Sequence, residues 1–243
     1  MAAKTESFVF TEDNFRAPEL PANMTVLDVP RVLATNEALE GFGYLLDGPD
    51  ERTVEKKNFE IKQWPSQGWR KCDPGTGDEA GTTEGDFEVH WQGDYFYGKN
   101  LAVATTNNVY LDGLGALPEK CGRDDATAST DGNTIHLWMS DYHADGAQLF
   151  WPRTPIPFVV CLAKAAHGDD VKPTDMRAFY VPKGKGVYIH PGTWHNGVYA
   201  TKESCRALGG KATFLTRQGR VHSRFSCSWA NEFRTVLRVP LSL

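Results

Sequence analysis

Asp141-Tyr142-His143-Ala144-Asp145-Gly146-Ala147-Gln148-Leu149-Phe150-Trp151-Pro152 and Gly184-Lys185-Gly186-Val187-Tyr188-Ile189-His190-Pro191-Gly192-Thr193-Trp194-His195-Asn196 are the two stretches on which the reading of this chain turns. Each reads as a strand, a tight turn and a second strand. Residues two apart on a strand share a face, so Asp141 and His143 point the same way, as do Gln148 and Phe150. The corner at Ala144-Asp145-Gly146 returns Gln148 beside His143. In the second stretch Tyr188 and His190 share a face, Pro191-Gly192 turns the chain, and His195 opens the returning strand. Closing the two strand pairs on each other brings His143, Gln148 and His195 together. Two imidazoles and an amide oxygen suit a divalent metal such as Ni, Mn, Zn or Fe. Because an amide is a weaker ligand than a carboxylate, such a site leaves positions open for a substrate oxygen.

Outward from these corners, the chain is rich in strand and turn residues. Among 243 residues there are 7 Trp, 8 Tyr and 13 Phe, with 23 Gly and 14 Pro, a balance that favours strands and turns over helices. Expected strands are 26–30, 44–46, 87–91, 94–98, 101–104, 109–111, 134–139, 157–163, 177–181, 186–190, 194–199, 212–216 and 236–239. The most apolar of them, Pro157–Ala163, belongs at the centre of a sheet. A short helix is expected at Asn36–Gly43, capped by Asn36. Residues 65–86 and 117–133 are polar and aperiodic and read as long loops. Short strands at regular spacing with little helix indicate an all-β barrel or sandwich. The division expected is an N-terminal arm over 1–24 and a single domain over 25–243.

The formal charge of -5 offers no electrostatic footprint for nucleic acid or an anionic membrane. No stretch approaches the roughly 20 apolar residues of a membrane helix, and Met1–Ser7 carries no signal-peptide pattern. Five scattered Cys without a C-x-x-C pair fit a reducing compartment. A cytoplasmic location is therefore expected. Leu241-Ser242-Leu243 resembles a peroxisomal tripeptide but lacks its basic middle residue.

Each of these residues also has a plainer reading. A single His is most often a hydrogen-bonded structural residue, and His136, His167 and His222 are assigned there. Asp145-Gly146 is ordinary turn chemistry. Trp151 and Trp194 are core or pocket wall. Gly184-x-Gly186 is not followed by a helical pattern, so it is not a nucleotide loop. The joint pattern Asp-x-His-x4-Gln followed by Pro-Gly-x-x-His is what singles out the site.

That joint pattern resembles the ureidoglycolate lyase family of the cupin superfamily. Its Glu-x-His-Pro-x-Gly-x-Gln-x-Phe-x-Pro segment is matched at Asp141, His143, Gly146, Gln148, Phe150 and Pro152. Leu-Arg-Ala-Phe is matched by Met176-Arg177-Ala178-Phe179, and the later Gly-Val-x-Tyr-His-x-x-x-Trp-His-His segment at Gly186, Val187, His190, Trp194 and His195. The chain departs from the pattern at Asp141 (Glu in the family), Asn196 (His), Pro191, and Arg153-Thr154, where a Lys often stands.

The resemblance implies a cupin-type double-stranded β-helix, or jelly-roll barrel. It also implies cleavage of ureidoglycolate to glyoxylate and urea in purine and allantoin nitrogen catabolism, and a homodimer. In this reading His143, Gln148 and His195 hold the metal, or a metal-free His143 or His195 is the base. His190 is an acid or supports a ligand, and Asp141 orients His143. Phe150, Tyr188 and Trp194 form walls, Arg153 or Arg177 pairs with the substrate carboxylate, and His90 joins the substrate-binding set. The alternatives are a cupin lyase or hydrolase for another small hydroxy- or amino-acid derivative, and a non-catalytic small-molecule-binding cupin.

Overall fold

A computed structural model describes residues 19–51, 68–70, 84–102, 109–121, 132–143, 146–219 and 224–243. These residues are mostly β, with two short α-helices. The strands are β1 (Thr25–Asp28), β2 (Arg31–Leu33), β3 (Gly43–Leu46), β4 (Glu84–Gln92), β5 (Tyr95–Asn100), β6 (Val109–Leu114), β7 (Thr134–Leu137), β8 (Met139–Tyr142), β9 (Gln148–Pro152), β10 (Phe158–Leu162), β11 (Arg177–Val181), β12 (Gly186–Ile189), β13 (Val198–Tyr199), β14 (Lys211–Gln218), β15 (Phe225–Ser228) and β16 (Thr235–Pro240). Helix α1 spans Lys202–Ala207 and α2 spans Trp229–Phe233.

Ten strands form one sheet in the order β1-β16-β7-β6-β5-β4-β14-β9-β12-β3. Four form a second, β13-β10-β11-β2, and β15 pairs with β8 in a third. Most neighbours are antiparallel, but β1 runs parallel to β16 and β2 parallel to β11. Among the described residues the large sheet ends at β1 and β3, and no pairing joins these edges. The all-β expectation is met at this level, as a mostly β arrangement of mixed sheets with few short helices. The parallel pairings join segments far apart in the chain, which local turn chemistry does not encode.

One apolar cluster joins the two larger sheets, taking Phe87, Phe150 and Phe214 from the large sheet and Phe158, Val160 and Phe179 from the four-stranded one. The rings of Phe158 and Phe214 meet edge-on at 5.1 Å, and those of Phe96 and Tyr199 lie 5.3 Å apart. All five residues of β10 are buried, as a continuous apolar run covered on both faces requires.

The segment expected as a helix at Asn36–Gly43 is a pair of turns. Thr35 provides the cap, its Oγ1 accepting from the Ala38 N–H at 3.1 Å. Asn36 instead accepts from the Leu45 N–H at 2.9 Å and anchors the start of β3. Strand 134–139 divides into β7 and β8 at Trp138, and Leu101-Ala102 is a turn. Of the expected arm, Leu20 and Met24 are buried and residues 1–18 lie outside the described set. So do residues 103–104 of the strand expected at 101–104, residues 65–67, 71–83 and 122–131 of the two loops, the corner residues 144–145, and His222.

Candidate active site

The inner face of the large sheet turns polar at one end. The ladder sets Gln148 opposite Gln218, and Phe150 opposite Thr216. Alternation then puts Gln148, Phe150, Thr216 and Gln218 on one face. Asn100 reaches the same group from β5, because Phe87, its ladder partner, also faces Phe214. Gln148, Gln218, Asn100 and Thr216 are all buried, so their hydrogen bonds must be met inside the protein.

Those bonds form a directed chain. The Ala102 N–H donates to Asn100 Oδ1 at 3.0 Å, which fixes the Asn100 amide. Asn100 Nδ2 therefore donates to Gln218 Oε1 at 3.3 Å. Gln148 Nε2 donates to the same Oε1 at 3.2 Å and to Thr216 Oγ1 at 3.3 Å. A backbone N–H cannot be an acceptor, so each amide in turn has one favoured orientation. The chain ends with Gln148 Oε1 facing outward from the network.

His195 meets it there. Asp141 and His195 form a bridge in which the Asp141 N–H donates to His195 O at 3.0 Å and the His195 N–H donates to Asp141 O at 2.8 Å. Directly paired residues share a face, so both side chains enter the same space. His195 Nδ1 lies 2.7 Å from Thr193 O, an obligate acceptor, so the ring proton sits on Nδ1. Nε2 then carries a lone pair and lies 3.2 Å from Gln148 Oε1. Two acceptors thus converge on one point. Burial holds the His195 pKa below its ordinary value, against the opposing pull of the Thr193 carbonyl, so an extra proton on Nε2 is disfavoured. The His143 ring stands edge-on to His195 with centroids 5.2 Å apart.

Converging lone pairs on an imidazole whose other nitrogen is tied to a carbonyl are the donor geometry of a metal-binding histidine. His195 Nε2 and Gln148 Oε1 have that donor geometry, and the His143 ring stands beside them. Among the described residues no group of three His, Cys, Asp or Glu is placed to hold a metal, so the amide oxygen is needed to complete the set.

The other expected residues divide. Asp141 is at the site, its Oδ1 accepting from the Ser226 hydroxyl at 2.5 Å and its Oδ2 lying 3.6 Å from Arg224 Nε. Phe150 is there too, packed edge-on against Phe87 with ring centroids 5.4 Å apart. His190 and Tyr188 are not brought in. In β12 it is Ile189 that pairs with Gln148 and Val187 that pairs with Phe150, so Tyr188 takes the opposite face. There it packs with Leu46, Leu149 and Tyr44, and the His190 ring lies 4.7 Å from that of Tyr44. His90 is likewise on the outer face, its ring 5.7 Å from that of Tyr97. Trp194 is wholly buried in the core, its Nε1 donating to Gly168 O at 2.9 Å. Arg153 pairs with Asp86 on the surface, and Arg177 donates to the carbonyls of Thr174 and Met176. Asn196 accepts from the Ser140 hydroxyl at 2.7 Å and donates to Met139 O, a structural role.

Sequence reading missed three polar groups. Arg224 is the guanidinium beside Asp141. Asp112 carries a buried carboxylate oxygen without a partner among the described residues; its signal was an acid inside the apolar run Val-Tyr-Leu-Asp-Gly-Leu. Arg70 is buried and binds both oxygens of Glu232, at 2.9 and 2.8 Å, while its backbone N–H donates to Asp169. Asp169 also accepts from the Tyr142 hydroxyl at 3.0 Å. Arg70 Nη1 donates to Ser226 O at 3.1 Å, so this network supports the strand that holds Asp141.

Comparison with known proteins agrees with the resemblance read from the sequence. Residues 104–208 match the family model described as Ureidoglycolate lyase. That segment contains His143, Gln148 and His195. A protein named Ureidoglycolate lyase from Rhodobacter capsulatus is 40% identical over 76 residues, covering 31% of this chain and 44% of the relative. The match thus spans less than half the length of that relative.

Proposed function

Because residues 104–208 match the ureidoglycolate lyase family model, we propose that this chain is a lyase of that type, splitting ureidoglycolate into glyoxylate and urea. The observation that carries the reading is the convergence of His195 Nε2 and Gln148 Oε1 at 3.2 Å beside the His143 ring. In this reading His143, Gln148 and His195 hold a divalent ion (Ni, Mn, Zn or Fe). Such an ion would polarise the hydroxyl and carboxylate oxygens of the substrate. Facing sheets around a polar pocket are compatible with a cupin-type jelly roll, and we extend the proposal to that fold family and to a homodimer.

The residues themselves do the following. The Thr193 carbonyl holds the His195 proton on Nδ1 and aims Nε2 inward. The Asn100–Gln218–Gln148 chain aims the amide oxygen at the same point. Phe150 and Phe87 close the apolar side and exclude water. Arg224 supplies positive charge at the rim, shared with Asp141. As the C–N bond breaks, its electron pair goes to nitrogen, which takes up a proton, and the carbinol hydroxyl gives up its own to leave glyoxylate. If no ion is bound, the Nε2 lone pair of His195 is the base, since burial keeps that ring neutral.

A second reading is a lyase or hydrolase for another small hydroxy- or amino-acid derivative. It is favoured by the positions of Arg153 and Arg177, both committed to other partners. The test is product analysis: purified protein with ureidoglycolate should release glyoxylate and urea in equal amounts, and His195→Ala should abolish the release. Turnover of a related carboxylate but not of ureidoglycolate would select the second reading.

A further inference from the structure

The space around the candidate site contains a carboxyl group that neither the metal set nor the family resemblance assigns. Strand β6 carries a bulge: Phe96 faces Gly113 while Tyr97 faces Leu111, leaving Asp112 as the extra residue. A bulge re-aims a side chain that regular alternation would place elsewhere. Here it sends the Asp112 carboxylate to the inner face of the sheet. The route there is kept clear by two glycines from different segments. A Cβ at Gly98 would meet Asp112 Oδ2 at 2.6 Å, and one at Gly197 would meet the same atom at 2.7 Å. Both would also press on the edge of the Phe87 ring, at 2.7 and 3.1 Å, and Phe87 packs on Phe150. Asp112 thus occupies a slot beside the Gln148–Phe150 face.

Among the described residues, Asp112 Oδ2 and the Tyr199 hydroxyl are both buried without a hydrogen-bond partner. Tyr199 is wholly inaccessible to solvent and sits on β13, paired with Val159. Gly197, whose Cβ would meet Asp112 Oδ2 at 2.7 Å, lies two residues before Tyr199, which puts the Tyr199 side chain on the same side of the chain as Asp112. The charge of Asp112, after burial itself, raises the Tyr199 pKa, with Cys161 and Asp141 adding to it. Burial and the neighbouring charge of Asp141, opposed by Arg224, raise the Asp112 pKa to about 7. Leaving two such polar groups unsatisfied is costly in a folded protein, so a guest with complementary donors and acceptors is the natural occupant. An anion would meet the charges of Asp112 and Asp141. A neutral group presenting N–H donors and a carbonyl acceptor satisfies both.

We propose that Asp112 and Tyr199 form a subsite that takes an uncharged amide or ureido group, with Asp112 accepting its N–H and the Tyr199 hydroxyl donating to its carbonyl. This deepens the reading above, on which it rests for the identity of the full substrate: the urea-bearing end points to Asp112, and the carboxylate end to the metal set and Arg224. The bulge and the two glycines are the structural means of placing the carboxyl there.

The test compares two probes on the full chain by calorimetric titration: ureidoacetate, which carries the ureido group and a carboxylate, and glycolate, which lacks the ureido group. The wild type should bind ureidoacetate more tightly. Asp112→Leu, which is close in size and removes both acceptor oxygens, should reduce ureidoacetate affinity by about tenfold or more, as loss of a buried hydrogen bond does, and leave glycolate affinity unchanged. Tyr199→Phe, which removes only the hydroxyl, should do the same and guards against misfolding of the first variant. Equal preference for ureidoacetate in the wild type and both variants would overturn the subsite, as would absence of any preference in the wild type. Ureidoglycolate turnover by the wild type, measured in parallel, judges the substrate reading separately. Turnover with an unchanged preference in the variants removes only the subsite, and a variant-sensitive preference without turnover removes only the substrate.

Discussion

His195 Nε2 and Gln148 Oε1 face each other at 3.2 Å, and both are acceptors. The Ala102 N–H sets one end of this conflict through Asn100 and Gln218, and the Thr193 carbonyl sets the other. Rotating the Gln148 amide would relieve it only by setting its oxygen against Gln218 Oε1, passing the mismatch along to Asn100 and Ala102. An electropositive guest between the two atoms resolves it without disturbing the chain. Replacing either atom should therefore remove metal binding: His195→Ala and Gln148→Leu are expected to lower divalent-ion affinity by roughly 100-fold or more, against the 10–100-fold typical of outer supporting groups. His190→Ala and His90→Ala, on the far face of the sheet, should leave it unchanged. Metal content after equilibrium dialysis reads all four.

Asp112 should make stability depend on pH. Its pKa in the folded protein, about 7, lies above the ordinary 3.8, so the native state holds a proton that the unfolded chain has lost between those values. This contribution is whole below the lower value and lost as pH rises through the upper one. At pH 8 the ionised carboxyl costs on the order of 4 kcal/mol relative to its state at low pH. Asp112→Asn, which cannot ionise, should be more stable than the wild type at pH 8 and much closer to it near pH 4. Urea unfolding at the two pH values measures the difference, and equal effects at both would refute the assignment.

Arg70 should be costly to remove. It is buried against Glu232, Asp169, Ser226 and Cys227. Removing one partner of such a pair leaves a stranded charge and costs about 3–5 kcal/mol. Arg70→Met is expected to lose stability in that range by thermal unfolding. Arg70→Lys should recover little, because a single ammonium cannot bridge both Glu232 oxygens.

Gly98→Ala tests the slot around Asp112. The new methyl would sit 2.6 Å from Oδ2 and 2.7 Å from Phe87, so the carboxyl or the ring must move. Overpacking of this kind costs about 1–3 kcal/mol. Ureidoacetate affinity should fall with it, while Gly48→Ala, whose methyl would stand in open space, should leave affinity intact.

Much of this was legible in the chain, for physical reasons that can be traced. The strands β10, β11, β12 and β14 announced themselves as apolar or alternating runs between turn signals. The proximity of Gln148 and the His143 ring to His195 was legible from the residue spacing within the two segments. The face of β12 was not. All four residues of Gly186–Ile189 are buried, so both faces are apolar and alternation carries no phase. Counted in the opposite phase, Tyr188 and His190 would face the site, where the ladder puts Val187 and Ile189. Asp112 was hidden by a bulge, which breaks period-two counting at a single residue. Arg70 lay in a polar segment whose long-range partners, Asp169 and Glu232, no local pattern reveals. The parallel pairing of β1 with β16 joins the two ends of the described chain, and it too has no local signature.

The most direct measurement is anomalous diffraction at a metal absorption edge from crystals of the metal-loaded protein. One strong peak is expected between His195 Nε2 and Gln148 Oε1, within about 2.0–2.2 Å of each and in reach of His143. A map featureless at that point, with the Gln148 amide turned to donate to Nε2, would contradict the account.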